Sequence, residues 1–168
     1  MIPNKNQPTQ LPPFLIDQIQ VEELMDLAIL EANRSLDHAD IPVGALILDT
    51  TGSVVSKAHN QKTLNSNALC HAEMIAINKA LESTNNTYLN DFTIVVSLEP
   101  CAMCAAAIVA SRIRHLVFGA FDLKNGACGS LMNITDDPRL NHNLNIIRGI
   151  LEQRCANLLT EFFDQKRS

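Results

Sequence analysis

Two short fragments, His71-Ala-Glu73 and Pro100-Cys-Ala-Met-Cys104, constrain this chain more than anything else in it. Taken singly, each is weak. A lone histidine is more often a satisfied structural residue, and a Cys-x-x-Cys pair can be a redox couple or two small apolar residues in a core. Taken together, they meet one physical requirement. Cys101 and Cys104 are three residues apart, so a helix turns both sulfurs to one side, within reach of a single ion. Both are expected in the first turn of that helix, where free N–H groups and the macrodipole favour thiolate over thiol. Pro100 suits the position, because a helix start needs no N–H from it. His71 adds a nitrogen from the head of a neighbouring helix, and two thiolates with one imidazole suit Zn²⁺.

Three ligands are the pattern of a catalytic zinc site, which keeps its fourth position for water. A structural site would take a fourth ligand, and the candidates are Cys70 and Cys128. Cys70 adjoins His71, where tetrahedral closure would be strained. Cys128 lies in a turn-rich loop and stays open as a candidate. Glu73, two residues beyond His71, is placed to reach a water in the fourth position and to shuttle its proton.

The rest of the chain alternates between strand and helix signals. A helix is expected from near Asp17 to Leu36, with Val21, Leu24, Met25, Ala28, Ala32 and Leu36 on one face and acidic residues near its start. Ile41–Asp49 and Val54–Ala58 read as strands joined by a turn at residues 50–53. A polar loop leads into a helix over His71–Leu81. A strand over Phe92–Leu98, a helix over Cys101–Ser111 and a strand over His115–Phe118 follow. Ile146–Ile147 is a last short strand, and a final helix runs from about Ile150 to Asp164. An opening hairpin followed by alternating elements predicts an α/β fold, a mixed, partly parallel sheet with helices on both faces. At 168 residues the chain is expected to form one domain over residues 14–168, after a loose Pro-containing lead-in over residues 1–13.

The longest apolar stretch, Cys101–Ala110, is about half of the roughly 20 residues a membrane span needs. The N-terminus has no signal-like apolar core. A cytoplasmic protein without a disulfide framework is therefore expected, and the odd count of 5 cysteines agrees. A net charge of −5 counts against nucleic acid as a partner, but its distribution matters. Residues 1–100 carry 5 basic and 12 acidic side chains, whereas residues 101–168 carry 8 and 6. The expectation is a local basic rim around the metal pocket on an acidic body.

The His-x-Glu…Pro-Cys-x-x-Cys signature is that of the zinc deaminases. Ile41-Pro-Val-Gly-Ala45, His71-Ala-Glu73, Ser97-Leu-Glu-Pro-Cys-Ala-Met-Cys104, Arg112-Ile113 and Val117-Phe-Gly-Ala120 lie in order along the chain. Asp122, Gly126-Ala127, Gly129-Ser130, Asn141-His142 and Phe162-Phe163 continue the series. With these residues the chain resembles the bacterial tRNA adenosine deaminases over about residues 16 to 167. That resemblance implies a cytidine deaminase-like three-layer α/β/α sandwich with a five-stranded mixed sheet, one Zn²⁺ per subunit and a homodimer. It also implies hydrolytic deamination of the wobble adenosine to inosine in a tRNA anticodon stem-loop, with the target base unstacked into the pocket.

Site roles follow residue by residue. The resemblance makes His71, Cys101 and Cys104 the zinc ligands and Glu73 the proton shuttle. It places Asn60, Val43, Ala72, Leu98, Asp122, Lys124, Phe163 and Arg167 against the substrate. Each of several has a plainer reading beside it. Asn60 is either an amide partner of the flipped nucleoside or a turn residue. Val43 and Leu98 either pack on the base or fill the core. Asp122 and Lys124 either meet a 2′-OH and a phosphate or belong to a solvated loop. Phe162 and Phe163, with Lys166 and Arg167, either stack beside nucleotides or dock the last helix, the second being favoured for Phe162.

The loop Asn60-Gln-Lys-Thr63 lacks the family's proline, and Asn67-Ala-Leu-Cys70 lacks its Asp-Pro, so this substrate-facing loop is expected to be shaped differently. Two other functions share part of the pattern: a deaminase of a free base or nucleotide, and a zinc-stabilised RNA-binding module without catalysis. The presence of Glu73 argues against the second.

Overall fold

A computed structural model describes residues 11–167 of the chain, so most of the expected lead-in lies outside the described residues. Its last residues are described. Pro12 caps and Pro13 opens a short helix, α1 (Pro13–Ile16), which buries Leu15. Asp17 then caps α2 (Gln18–Asn33) by accepting from the Ile19 N–H. No acidic residue sits in the first turn of α2, so the acidic start expected from the sequence reduces to this cap. The apolar face of α2 ends early as well: Arg34–His38 tightens into a 3-10 turn and leaves Leu36 exposed.

The sheet has five strands in the order β2-β1-β3-β4-β5. Strands β1 (Gly44–Leu48) and β2 (Val54–His59) form the antiparallel hairpin. At its turn Asp49 accepts from the N–H groups of Thr51 and Ser53, and Gly52 takes a positive φ of 89°. Strand β3 (Thr93–Leu98) pairs antiparallel with β1 and parallel with β4 (His115–Ala120). β5 (Asn145–Ile147) adds a parallel edge. Helices α3 (Ala72–Thr84), α4 (Ala102–Ala110) and α5 (Glu152–Arg167) complete the chain.

Strand alternation divides the core in two. Ala45, Ile47, Ile94, Val96, Leu116 and Phe118 face α3 and α4. Leu46, Leu48, Val95 and Val117 face α1, α2 and α5 through Leu15, Val21, Met25, Ala28 and Cys155. This is the expected three-layer α/β/α sandwich with a mixed sheet.

One close approach is decisive. A Cβ on Gly44 would collide with the Ala28 carbonyl and lie 2.5 Å from the Ala32 nitrogen, both on α2. Gly44→Ala must push α2 off the sheet, and is expected to cost about 3 kcal/mol, the upper part of the overpacking range. Urea denaturation followed by far-UV circular dichroism reads the cost directly; an unchanged midpoint would mean that α2 moves freely.

Candidate active site

Parallel β3 and β4 end side by side, and the cleft opens beyond their carboxyl ends, where α3 and α4 both begin. α/β sheets generally bind ligands here. His71 is the N-cap of α3 and Cys101 the N-cap of α4, so Cys101 stands one step before the first turn expected for it, with Cys104 inside. The Sγ atoms of Cys101 and Cys104 lie 3.7 and 3.6 Å from His71 Nδ1. All three donor atoms lie within 4.8 Å of one another.

Two bonds of about 2.3 and 2.0 Å meeting at a tetrahedral angle hold sulfur and nitrogen roughly 3.5 Å apart, so the donors fit Zn²⁺ in spacing as well as in kind. Neither Cys70 nor Cys128 joins the cluster among the described residues. Cys128 is instead buried, with its thiol pushed up to about 12 by desolvation.

The electrostatics agree with a site built for a cation. The Cys104 contact and the His71 ring hold the Cys101 thiol down at about 4, whereas that same contact and burial push Cys104 up. The pair thus sheds one proton readily and keeps the other. A dication within reach of both sulfurs favours thiolate at each. Glu73 projects from the first turn of α3 and is 4% exposed. Burial raises its carboxyl to about 7. A carboxyl poised there can both take and give a proton at neutral pH.

A cleft of about 360 Å³ covers the cluster. It is lined by Val43, Asn60, Leu98 and Asp122, which the sequence singled out, together with His71, Glu73 and Cys101. Asn60 is buried and ties two segments together: its amide nitrogen donates to the Ile41 carbonyl, and its oxygen accepts from the Ala72 N–H at 2.9 Å. An amide has two N–H donors and two lone pairs, so one of each is left for a ligand. Ala72 itself is fully buried, its N–H is taken up by Asn60, and it is not among the residues that line the cleft. Asp122 accepts from the N–H groups of Lys124 and Asn125, which makes it the pin of its own turn.

Phe163 is exposed and Arg167 pairs with Asp164 at 3.8 Å, while Phe162 is buried as favoured. The end of α5 is tied to the segment before β1, where Lys166 Nζ donates to the Ala39 carbonyl, and neither Phe163 nor Arg167 is among the residues that line the cleft. Ile41, Lys62, Glu99 and Asn125 line the cleft without having been singled out. Ile41 and Glu99 stood inside quoted motifs, whereas Lys62 sits in the loop whose shape the sequence left open. The basic rim is thinner than expected: Lys62 alone among the lining residues carries a Lys or Arg charge, and Lys124 stands two positions from Asp122.

The altered loop has its own fastenings. Asp40 accepts from the Thr63 N–H and hydroxyl at 3.0 Å, and Asn67 accepts from the Leu69 N–H where the family has Asp-Pro. Beneath it, Glu31 holds His59 at 2.9 Å, and the His38 ring nitrogen meets the Asn60 carbonyl at 3.1 Å.

Residues 18–120 match the cytidine and deoxycytidylate deaminase zinc-binding region. The tRNA-specific adenosine deaminase of Bacillus subtilis (strain 168) is 38% identical over 148 residues, 88% of this chain and 91% of its own. That of Haemophilus influenzae is 38% identical over 146 residues, 87% of this chain and 84% of its own. A structure solved in work on A-to-I editing by tRNA:A34 deaminases superposes with a TM-score of 0.78 at 34% identity, covering 82% of this chain and 99% of that one. A guanine deaminase from Nitrosomonas europaea shares the fold alone, with a TM-score of 0.70 at 21% identity over 95% of this chain and 97% of its own. With three metal-donor side chains gathered at two helix starts and 82–88% of its length so matched, the chain belongs to the zinc-binding cytidine and deoxycytidylate deaminase family, among the tRNA-specific adenosine deaminases.

Proposed function

We propose that the protein hydrolyses adenosine to inosine at the wobble position of a tRNA anticodon, releasing ammonia. The observation that carries this reading is the buried carboxyl of Glu73, set beside a His/Cys/Cys cluster at the floor of an open cleft. His71, Cys101 and Cys104 hold the metal, and zinc supplies the Lewis acidity that makes water nucleophilic at neutral pH. Glu73 takes a proton from the attacking water and delivers it to N1 of adenine as the new bond forms at C6. It then passes the second proton to the departing amine, so that ammonia leaves and the carbonyl of inosine remains.

Other residues hold the nucleoside. Asn60 has one donor and one acceptor to spare, and Val43 and Leu98 present apolar surface to the base. The Asp122 and Lys124 turn lies on one side of the cleft, with Lys62 in its lining, for ribose and phosphate. Phe163 and Arg167 stand on α5, outside the lining of the cleft, with Phe163 exposed to stack on an unstacked nucleotide.

The partner is the anticodon stem-loop, met in the cytoplasm. Among the described residues no helix is long and apolar enough to cross a membrane. A second copy of the chain completes the particle: Ala106 and Ala110 on the outer side of α4 are exposed, which leaves an all-apolar helix partly uncovered in the monomer.

The direct test sets an anticodon stem-loop carrying adenosine at its first anticodon position against free guanine, cytosine and adenosine. Inosine is expected in the RNA, with binding that weakens steeply as salt rises because phosphate contacts release counterions. Salt-independent turnover of a free base beside an inert stem-loop would assign the cleft to a small substrate.

A further inference from the structure

Glu99 lies between β3 and α4, next to Pro100, and is only 2% exposed. A carboxylate so buried needs full hydrogen bonding, and its partners all come from one place. Its Oε1 accepts from the N–H groups of Cys128 and Ser130, each at 3.0 Å. Its Oε2 accepts from the Asp122 N–H at 3.1 Å and from the Ser130 hydroxyl. Every one of these donors belongs to segment 122–130, and none belongs to a strand or helix of the framework.

The segment is shaped to receive it. A Cβ on Gly126 would stand 2.5 Å from Glu99 Oε2 and from the Asp122 carbonyl, so only glycine allows the turn to close over the carboxylate. Gly126 also pairs with Cys101, and the Ala127 N–H donates to the Pro100 carbonyl at 2.8 Å. The turn that carries Asp122 and Lys124 therefore hangs on the same three-residue stretch, residues 99–101, that delivers a cysteine to the metal cluster.

We propose that Glu99 is a positioning residue for RNA binding: it holds segment 122–130 in the shape that presents Asp122 and Lys124 to the substrate. The inference rests on the RNA reading of that turn. Glu99 acts through the segment and has no share in the proton transfers.

Glu99→Gln discriminates this role sharply. An amide offers one accepting oxygen and two donors. If the oxygen keeps Cys128 and Ser130, the amide nitrogen faces the Asp122 N–H donor to donor, so the end of the segment nearest Lys124 is released.

The experiment uses the zinc-loaded full chain with an anticodon stem-loop, comparing Glu99→Gln, Lys124→Ala and the double variant. For Glu99→Gln we expect KM to rise about tenfold, the loss set by one unsatisfied buried donor, with kcat within about twofold of the parent and zinc content unchanged. The slope of log affinity against log salt should fall by about one in each single variant and no further in the double, because both remove the same phosphate contact. Ser130→Ala, which deletes one donor from the segment's own side, should raise KM in the same direction, and it reports even where Glu99→Gln fails to fold.

If Lys124→Ala raises KM but Glu99→Gln and Ser130→Ala do not, or if the two losses simply add, the positioning role is overturned and the RNA reading stands. If Lys124→Ala changes neither KM nor the salt slope, the RNA reading of the turn fails and this inference fails with it.

Discussion

Glu73→Ala is expected to lower turnover of an anticodon stem-loop by about 10⁴-fold, at the upper end of what one acid–base group contributes, with one zinc per chain retained. The size follows from how much falls on a single carboxyl. It is the only acidic side chain placed within the first turn of α3. In the proposed reaction it takes and gives every proton that moves. Its burial, which raises it to about 7, is what lets one group serve as base and then as acid near neutral pH. A factor of 10⁴ corresponds to about 5 kcal/mol of barrier, far above any effect of slightly changed packing. Single-turnover rates measured with metal analysis on the same sample separate loss of chemistry from loss of metal. A variant that keeps its zinc and still forms inosine at the parent rate would remove Glu73 from the reaction.

The second large effect concerns the metal. Stripping zinc with a chelator is expected to abolish turnover and to lower Tm by roughly 10 °C, with both restored by stoichiometric Zn²⁺. Occupancy about a thousandfold above the dissociation constant adds about 4 kcal/mol, and each kcal/mol moves Tm by about 2–4 °C in a chain of this size. The structural reason is that His71, Cys101 and Cys104 crowd three donor atoms between two helix starts. Without a cation, burial and the Cys101 contact favour the protonated thiol at the fully buried Cys104, and only the weak sulfur contacts to His71 join the two helix starts above their shared core. Cys104→Ala should behave like the stripped protein and gain nothing from added zinc. A thermal transition indifferent to the chelator would mean that the cluster is not a metal site at all.

Local signals carried much of this architecture. The His-x-Glu and Cys-x-x-Cys fragments pointed to the cluster because a metal demands both donor type and spacing, and helix caps turned out to supply the geometry. Strands β1, β3 and β4 were visible as short, nearly unbroken apolar runs because each is buried on both faces. The features that escaped depend on contacts far apart in sequence. Asn60 looked like a choice between ligand and turn, yet it links the Ile41 carbonyl to the first N–H of α3, a tie made with residues 19 and 12 positions away. Glu99 sat inside a quoted motif, but its grip on Ser130, 31 positions on, leaves no periodic trace. The early end of α2 was hidden for a different reason: Leu36 keeps the helical spacing, although the 3-10 turn has already rotated it into solvent. The charge asymmetry did not foretell the lining of the cleft, to which the more basic half contributes Cys101, Asp122 and Asn125 but no Lys or Arg. It missed Lys62, because that side chain reaches the cleft from a loop in the acidic half.

In the proposed function, this cleft edits an anticodon. Incubating the zinc-loaded protein with total bacterial tRNA and reading inosine by sequencing tests it most directly. Inosine is expected at the wobble position of one or a few tRNAs, none elsewhere in those molecules, and none with Glu73→Ala. Unedited tRNA from a preparation that releases ammonia from guanine or cytosine would contradict it.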